Sequence, residues 1–201
     1  MNFETGDLKT FRAVVQGAVV LGWIVFAVMF WLRKRPAQAA TKETRHRSGL
    51  GILLQGISFG LVWGLRRPSF SPFVPIPGQA EIALGIFTVG LMAASVWLSL
   101  TAVRTLGKEW SFEARLVEGH RLVTQGPYRI VRNPIYSGML GKLVATGLAM
   151  SHWLVVLAAV SLFLVGTAIR VRSEEALLRG AFGKEFDEYA RRVPTLIPGL
   201  W

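Results

Sequence analysis

In this 201-residue chain, two short stretches concentrate the side chains able to hold or act on a charged molecule. The first runs from Gly126-Pro127-Tyr128 to Arg132-Asn133-Pro134-Ile135-Tyr136-Ser137-Gly138. Gly126-Pro127 is turn chemistry, Asn133 is a good N-cap and Pro134 suits a first helical turn, so a helix should open there. A helix start offers free backbone N–H groups and a positive dipole end, which suit a carboxylate or phosphate, and Arg129 and Arg132 add to that field. The same residues equally suit a plain capped membrane helix with snorkelling arginines and interfacial tyrosines.

The second stretch holds Arg170 and Glu174, with Arg172, Glu175 and Arg179 beside them. Residues four apart share a helical face, so Arg170 and Glu174 either pair with each other or present a cation and an anion to a bound molecule at the membrane boundary. A simple interfacial pair would contribute at most about 1 kcal/mol.

Several other chemistries are excluded. The chain has no cysteine, which removes thiolate catalysis, disulfides, zinc-thiolate sites and iron-sulfur clusters. His46, His120 and His152 stand far apart without helical ligand spacing, so no metal site is expected. Gly49-Leu50-Gly51 lacks the third glycine and preceding strand of a dinucleotide fingerprint, and Gly107-Lys108 and Gly183-Lys184 lack the rest of a phosphate loop.

The elements that must position the two stretches are membrane helices. Apolar residues make up 52% of the chain against 17% charged, too greasy for an ordinary soluble domain. Residues 14–32, 48–65 and 82–103 are uncharged and long enough, at ~1.5 Å rise per residue, to cross roughly 30 Å of hydrocarbon. Residues 135–169 carry only Lys142, overshoot one crossing and leave room for two helices joined at Ser151-His152-Trp153. The first span lacks the basic start and small-residue cleavage site of a signal peptide.

Lys and Arg distribution sets an orientation. The segments 33–47 and 104–132 and the tail from Arg170 hold six basic residues each, whereas 1–13 and 66–81 hold two each. Five spans with the amino terminus outside put every rich segment in the cytoplasm, while four would strand the tail on the far side. The net charge of +11 is then topology and lipid-surface attraction, and nucleic-acid binding is not expected. Pro68, Pro72, Pro75 and Pro77 forbid a helix in the external loop, whose role reads as connection. Ser173 to Val193 reads as an amphipathic cytoplasmic helix or helix pair, with Gly180 and Gly183 as breaks.

Taken together, His120-Arg121-Leu122-Val123, Gly126-Pro127-Tyr128, Arg132-Asn133-Pro134, Tyr136-Ser137-Gly138, Arg170, Glu174-Glu175, Phe182-Gly183, Tyr189 and Val193-Pro194 resemble the isoprenylcysteine carboxyl methyltransferase family. These are integral membrane enzymes that use S-adenosylmethionine, and phospholipid methyltransferases are looser relatives. The resemblance covers the chain from Leu106 onward. It implies an all-α membrane protein of about five transmembrane helices, the last two a hairpin, with a cytoplasmic cofactor-binding region built from the loop before the hairpin and the C-terminal helix. Residues 1–103 would form a three-span region and 104–201 the methyltransferase core, in a bacterial inner membrane.

By the same resemblance, His120, Arg121, Leu122, Val123, Tyr128, Asn133, Pro134, Ile135, Tyr136 and Glu174 would line the cofactor pocket, and Arg170 would face the methyl acceptor. The family usually has histidine where this chain has Asn133, which can hydrogen-bond but cannot carry a proton. The implied acceptor is a lipid-linked carboxylate such as that of a prenylated cysteine or peptide. The alternatives are a phospholipid amine and a non-catalytic scaffold or transporter subunit, which Asn133 favours. Because a carboxylate is already ionised at neutral pH, alignment and exclusion of water matter more than a general base.

Overall fold

The computed structural model describes residues 5–31, 41–44, 48–107, 115–117 and 122–199. Its elements are α1 (Thr5–Trp31), β1 (Thr41–Thr44), α2 (Ser48–Gly64), α3 (Gly78–Leu106), β2 (Arg115–Val117), α4 (Pro134–Met150), α5 (Trp153–Phe182) and α6 (Lys184–Arg192), with a 3₁₀ turn at Gly126–Arg129. The architecture is helical as expected, except that β1 and β2 pair antiparallel and join the segment before α2 to the segment after α3. Three helices, α1, α3 and α5, are long and apolar enough to cross a membrane, and α2 is a shorter apolar helix. The tight Ser151-His152 connection makes α4 and α5 the expected antiparallel hairpin.

Close helix approach is achieved with glycine and small hydroxyls. A Cβ added at Gly138 or Gly141 would collide with Ser99 or Ser95 of α3, so α4 lies against α3 along that stripe. On its other side the bundle is closed by α2 against α5: a Cβ at Gly51 would stand 2.5 Å from Arg170 Cγ and 2.7 Å from the Gly166 carbonyl oxygen. Gln55 Nε2 donates to Thr167 Oγ1 across the same seam, at 2.9 Å. Two apolar clusters flank α4: Val15, Val19, Met92, Val96, Ala145 and Ala149 on one side, and Val62, Leu143, Ala159 and Phe163 on the other.

The proline-rich loop does more than connect. Arg67 donates to the carbonyls of Ser71, Ser151 and Ala149, satisfying backbone acceptors at the end of α4, and Ser151 Oγ donates to the Val62 carbonyl. Arg12 donates from Nε and Nη2 to the two carboxylate oxygens of Glu81 and from Nη1 to the Phe70 carbonyl, locking α1 to the start of α3. This clamp holds the end of the bundle opposite the two chemistry-bearing stretches.

Lys142, the lone charge of the expected hairpin, is fully buried. Its Nζ lies 3.3 Å from Ser99 Oγ, 3.2 Å from the centroid of Phe26 and 5.6 Å from that of Trp23. Ring faces attract a cation and repel an anion. Lys142→Met should therefore fold, with its thermal midpoint in detergent little changed. Lys142→Asp should lose folded protein altogether, which fluorescence-detected size exclusion would register.

Candidate functional site

At the other end of the bundle, α4 opens where the sequence places it. Gly126 takes φ +58° beside Thr105, a conformation that glycine adopts without strain, and Pro127 and Tyr128 that follow are buried. The backbone then turns through Arg132-Asn133 into Pro134. Asn133 occupies the N-cap position but does not cap with its side chain. Instead its N–H and its Nδ2 both donate to the Thr195 carbonyl, each at 3.1 Å, because the C-terminal tail returns to lie across the start of α4.

Arg132 binds that tail. Nε donates to Glu175 Oε1 at 2.9 Å, one terminal nitrogen to the carbonyls of Ala190 (2.7 Å) and Val193 (2.5 Å), and the other to Thr195 Oγ1 at 2.7 Å. Its backbone N–H reaches the Pro194 carbonyl at 2.8 Å, and Ser137 Oγ reaches that of Leu196 at 2.6 Å. The expectation that Arg132 would lend its charge to a ligand at the helix start is therefore corrected: its donors are engaged inside the protein. Tyr189 of α6 completes the join by donating to the Tyr128 carbonyl at 2.7 Å, and burial pushes its hydroxyl pKa up to about 12, so it remains a donor at neutral pH.

The second stretch meets the first around Tyr136. Tyr136 Oη donates to Glu174 Oε1 at 2.5 Å, Arg170 Nη2 approaches the same oxygen at 3.2 Å, and the Arg170 guanidinium stands 5.3 Å from the Tyr136 ring centroid. Both bonds use Oε1, so Oε2 of Glu174 faces outward from the trio. The Glu174 side chain is 26% exposed and that of Arg170 12%, which marks a partly open, charge-bearing recess rather than a sealed core pair. Tyr128 lies close enough to feel Glu174. Burial first, then Tyr189 and Glu174, push its hydroxyl well above the ordinary tyrosine range, so the ring stays neutral.

Of the residues expected to share a pocket, the structure thus brings Tyr136, Arg170 and Glu174 together, with Tyr128 held at the same end of the bundle through Tyr189. Pro134 is buried, while Leu122, Val123 and Ile135 are half-buried nearby in the chain. Asn133 sits at the rim with its side chain turned to the tail, and His120 and Arg121 lie outside the described residues. Gly51 was not singled out as a site residue, since its contact with Arg170 depends on a helix pairing that no local pattern encodes. Nor was the Arg132–Thr195 contact. Val193-Pro194 signals a helix stop, and only its return across α4 makes it a strap. Among the described residues, no three His, Cys, Asp or Glu side chains gather as a metal site would need.

The family model described as phospholipid methyltransferase matches residues 83–185, from α3 through the start of α6. Protein-S-isoprenylcysteine O-methyltransferase B of Arabidopsis thaliana is 36% identical over 103 residues, covering 50% of this chain and 52% of the plant protein. The nickel-cobalt-cadmium resistance protein NccN of Alcaligenes xylosoxydans xylosoxydans is 30% identical over 176 residues, 83% of this chain and 73% of its own. Methanethiol S-methyltransferase 2 of Bradyrhizobium diazoefficiens is 34% identical over 156 residues, 75% of this chain and 59% of its own. The chain spans about half the length of the plant methyltransferases it matches.

Replacing Arg132 by Met strands Glu175, the Ala190 carbonyl of α6 and two tail acceptors, the Val193 carbonyl and Thr195 Oγ1. Removing one partner from such a partly buried network costs about 3 kcal/mol. The tail should come away, so hydrogen exchange at residues 193–197 should accelerate by at least tenfold while the amides of α3 remain protected.

Proposed function

Because the chain belongs to the phospholipid methyltransferase family, we propose that it is an integral membrane enzyme transferring a methyl group from S-adenosylmethionine to a lipid-linked carboxylate, that of a prenylated cysteine or a close equivalent. The observation that carries this reading is the Tyr136–Glu174–Arg170 unit, a carboxylate and a guanidinium held side by side in one half-open recess. The family match and the isoprenylcysteine methyltransferase relatives support it.

The donor set suits S-adenosylmethionine. A cofactor ammonium needs a carboxylate with a free edge, and Glu174 has its Oε1 fixed by two donors and Oε2 available. A sulfonium favours neutral electron-rich rings, which Tyr128 and Tyr136 provide at the same recess. Leu122, Val123, Pro134 and Ile135 would contribute apolar wall. When bound, S-adenosylmethionine supplies an electrophilic methyl carbon.

The chain's own residues would then align and desolvate. Arg170 orients the acceptor carboxylate without changing protonation, since a guanidinium stays charged. Methyl transfer to an oxygen of that carboxylate would break the carbon–sulfur bond and leave its electron pair on sulfur, so the chain's residues would have no proton to move. Both charges diminish along the way, so a dry recess favours the reaction. Tyr136 and the strap at 193–197 keep water from one side, and α2 packed on Arg170 keeps it from another.

Five crossings with the amino terminus outside would set this recess at the cytoplasmic face, on a core of residues 104–201 carried by the first three spans. The water-soluble cofactor would then arrive from the cytoplasm and the lipidated acceptor sideways from the bilayer. A phospholipid amine fits less well, because Arg170 repels a cationic acceptor. A second reading, in which the fold serves a non-catalytic role, rests on Asn133, a side chain that cannot carry a proton.

Purified protein in lipid nanodiscs separates these readings. S-adenosylhomocysteine should bind by calorimetry, and labelled methyl should pass to a farnesylcysteine analogue but not to phosphatidylethanolamine. Absence of binding would favour the non-catalytic role. Arg170→Ala should lower turnover on the order of a hundredfold while leaving homocysteine-analogue affinity within a few-fold, the signature of lost acceptor alignment. Glu174→Gln should weaken that affinity by about tenfold or more.

A further inference from the structure

Ser173 lies on the buried face of α5, three residues from Arg170 and next to Glu174, and is 6% exposed. Its Oγ is buried without a hydrogen-bond partner. That is unusual for this molecule. Elsewhere in the helices the hydroxyls of Ser58, Thr88, Ser99, Thr105, Thr146 and Ser161 each donate to the carbonyl four residues back, the default arrangement for a helical hydroxyl in an apolar setting. Ser173 makes no such bond to Ile169.

A buried hydroxyl left unsatisfied is destabilising and calls for an explanation in a ligand or a function. Neighbouring geometry supplies one. Residues three apart on a helix share a face, so Ser173 and Arg170 look the same way. Gly166, one turn before Arg170, sits against Gly51 of α2, and α2 runs antiparallel to α5 from its start at Ser48. Ser173 therefore lies one turn beyond Arg170 on the same face of α5, past the point where Gly51 of α2 packs.

We propose that Ser173 is a second positioning residue for the methyl acceptor, its Oγ donating to one oxygen of the acceptor carboxylate while Arg170 holds the other. This rests on the carboxylate reading above and deepens it. Two donors from one helix face fix both the position and the plane of the carboxylate, whereas Arg170 alone leaves rotation about one contact.

The test uses full-length protein in nanodiscs with S-adenosylmethionine and a farnesylcysteine analogue. Ser173→Ala should raise the acceptor KM by roughly tenfold or more, the loss of one hydrogen bond to a charged group. Affinity for S-adenosylhomocysteine should stay within about twofold, and the thermal midpoint should hold or rise, because an unsatisfied buried hydroxyl has been removed. Ser173→Thr, which keeps the hydroxyl, should retain the low KM. An alanine variant with unchanged KM overturns the assignment, as does one whose KM rises only together with a falling thermal midpoint, the mark of a packing role. Wild-type protein that binds S-adenosylhomocysteine yet methylates no farnesylcysteine overturns the acceptor reading and this assignment with it. Wild-type turnover with an unmoved alanine variant overturns the assignment alone.

Discussion

The arrangement depends on one guanidinium. Arg132 stands at the entrance to α4 and bonds to Glu175 of α5, to the end of α6 and to the tail beyond it. A planar fork with fixed donor directions can satisfy acceptors from three segments at once, which a lysine cannot. Because Glu175 follows Glu174 directly, fixing one also fixes the rotation of α5 that presents the other to Tyr136. The recess is thus held by a neighbour that does not line it.

Membrane setting sharpens this logic. Near hydrocarbon, unsatisfied carbonyls at helix ends are costly, and the molecule meets that cost differently at its two ends. At one end Arg67 covers the carbonyls where α4 stops. At the other, the tail's own carbonyls receive Arg132, Asn133 and Ser137, so one set of bonds both completes the backbone accounting and closes the recess. Lys142 faces the opposite side of α4, toward α1 and α3, and leaves the α5 side to Tyr136 and its partners.

Much of this was legible in the sequence. Uncharged runs and the uneven loop charges mark the helices, and Ser151-His152 marks the hairpin, because hydropathy and turn chemistry are local. The convergence of Tyr136, Arg170 and Glu174 was legible only through the resemblance of the chain's motifs to a known family. What escaped is long-range. A helical pattern gives no sign of where the bilayer ends, so α5 runs unbroken to Phe182, with Gly183 rather than Gly180 as the break. The β1–β2 ribbon pairs four residues with three across more than seventy positions, too short for any alternation to declare itself. Asn133 has the composition of a cap, yet the returning Thr195 carbonyl takes its side chain instead. In that role asparagine needs only an N–H to give.

The central claim, that this recess is a cofactor site, is tested most directly by determining the structure with S-adenosylhomocysteine bound. The account predicts the ligand's ammonium on Oε2 of Glu174 and its sulfur against the rings of Tyr128 and Tyr136, with Arg170 left facing the space where an acceptor would lie. Density for the ligand elsewhere, with the Tyr136–Glu174–Arg170 unit buried and untouched, would contradict it.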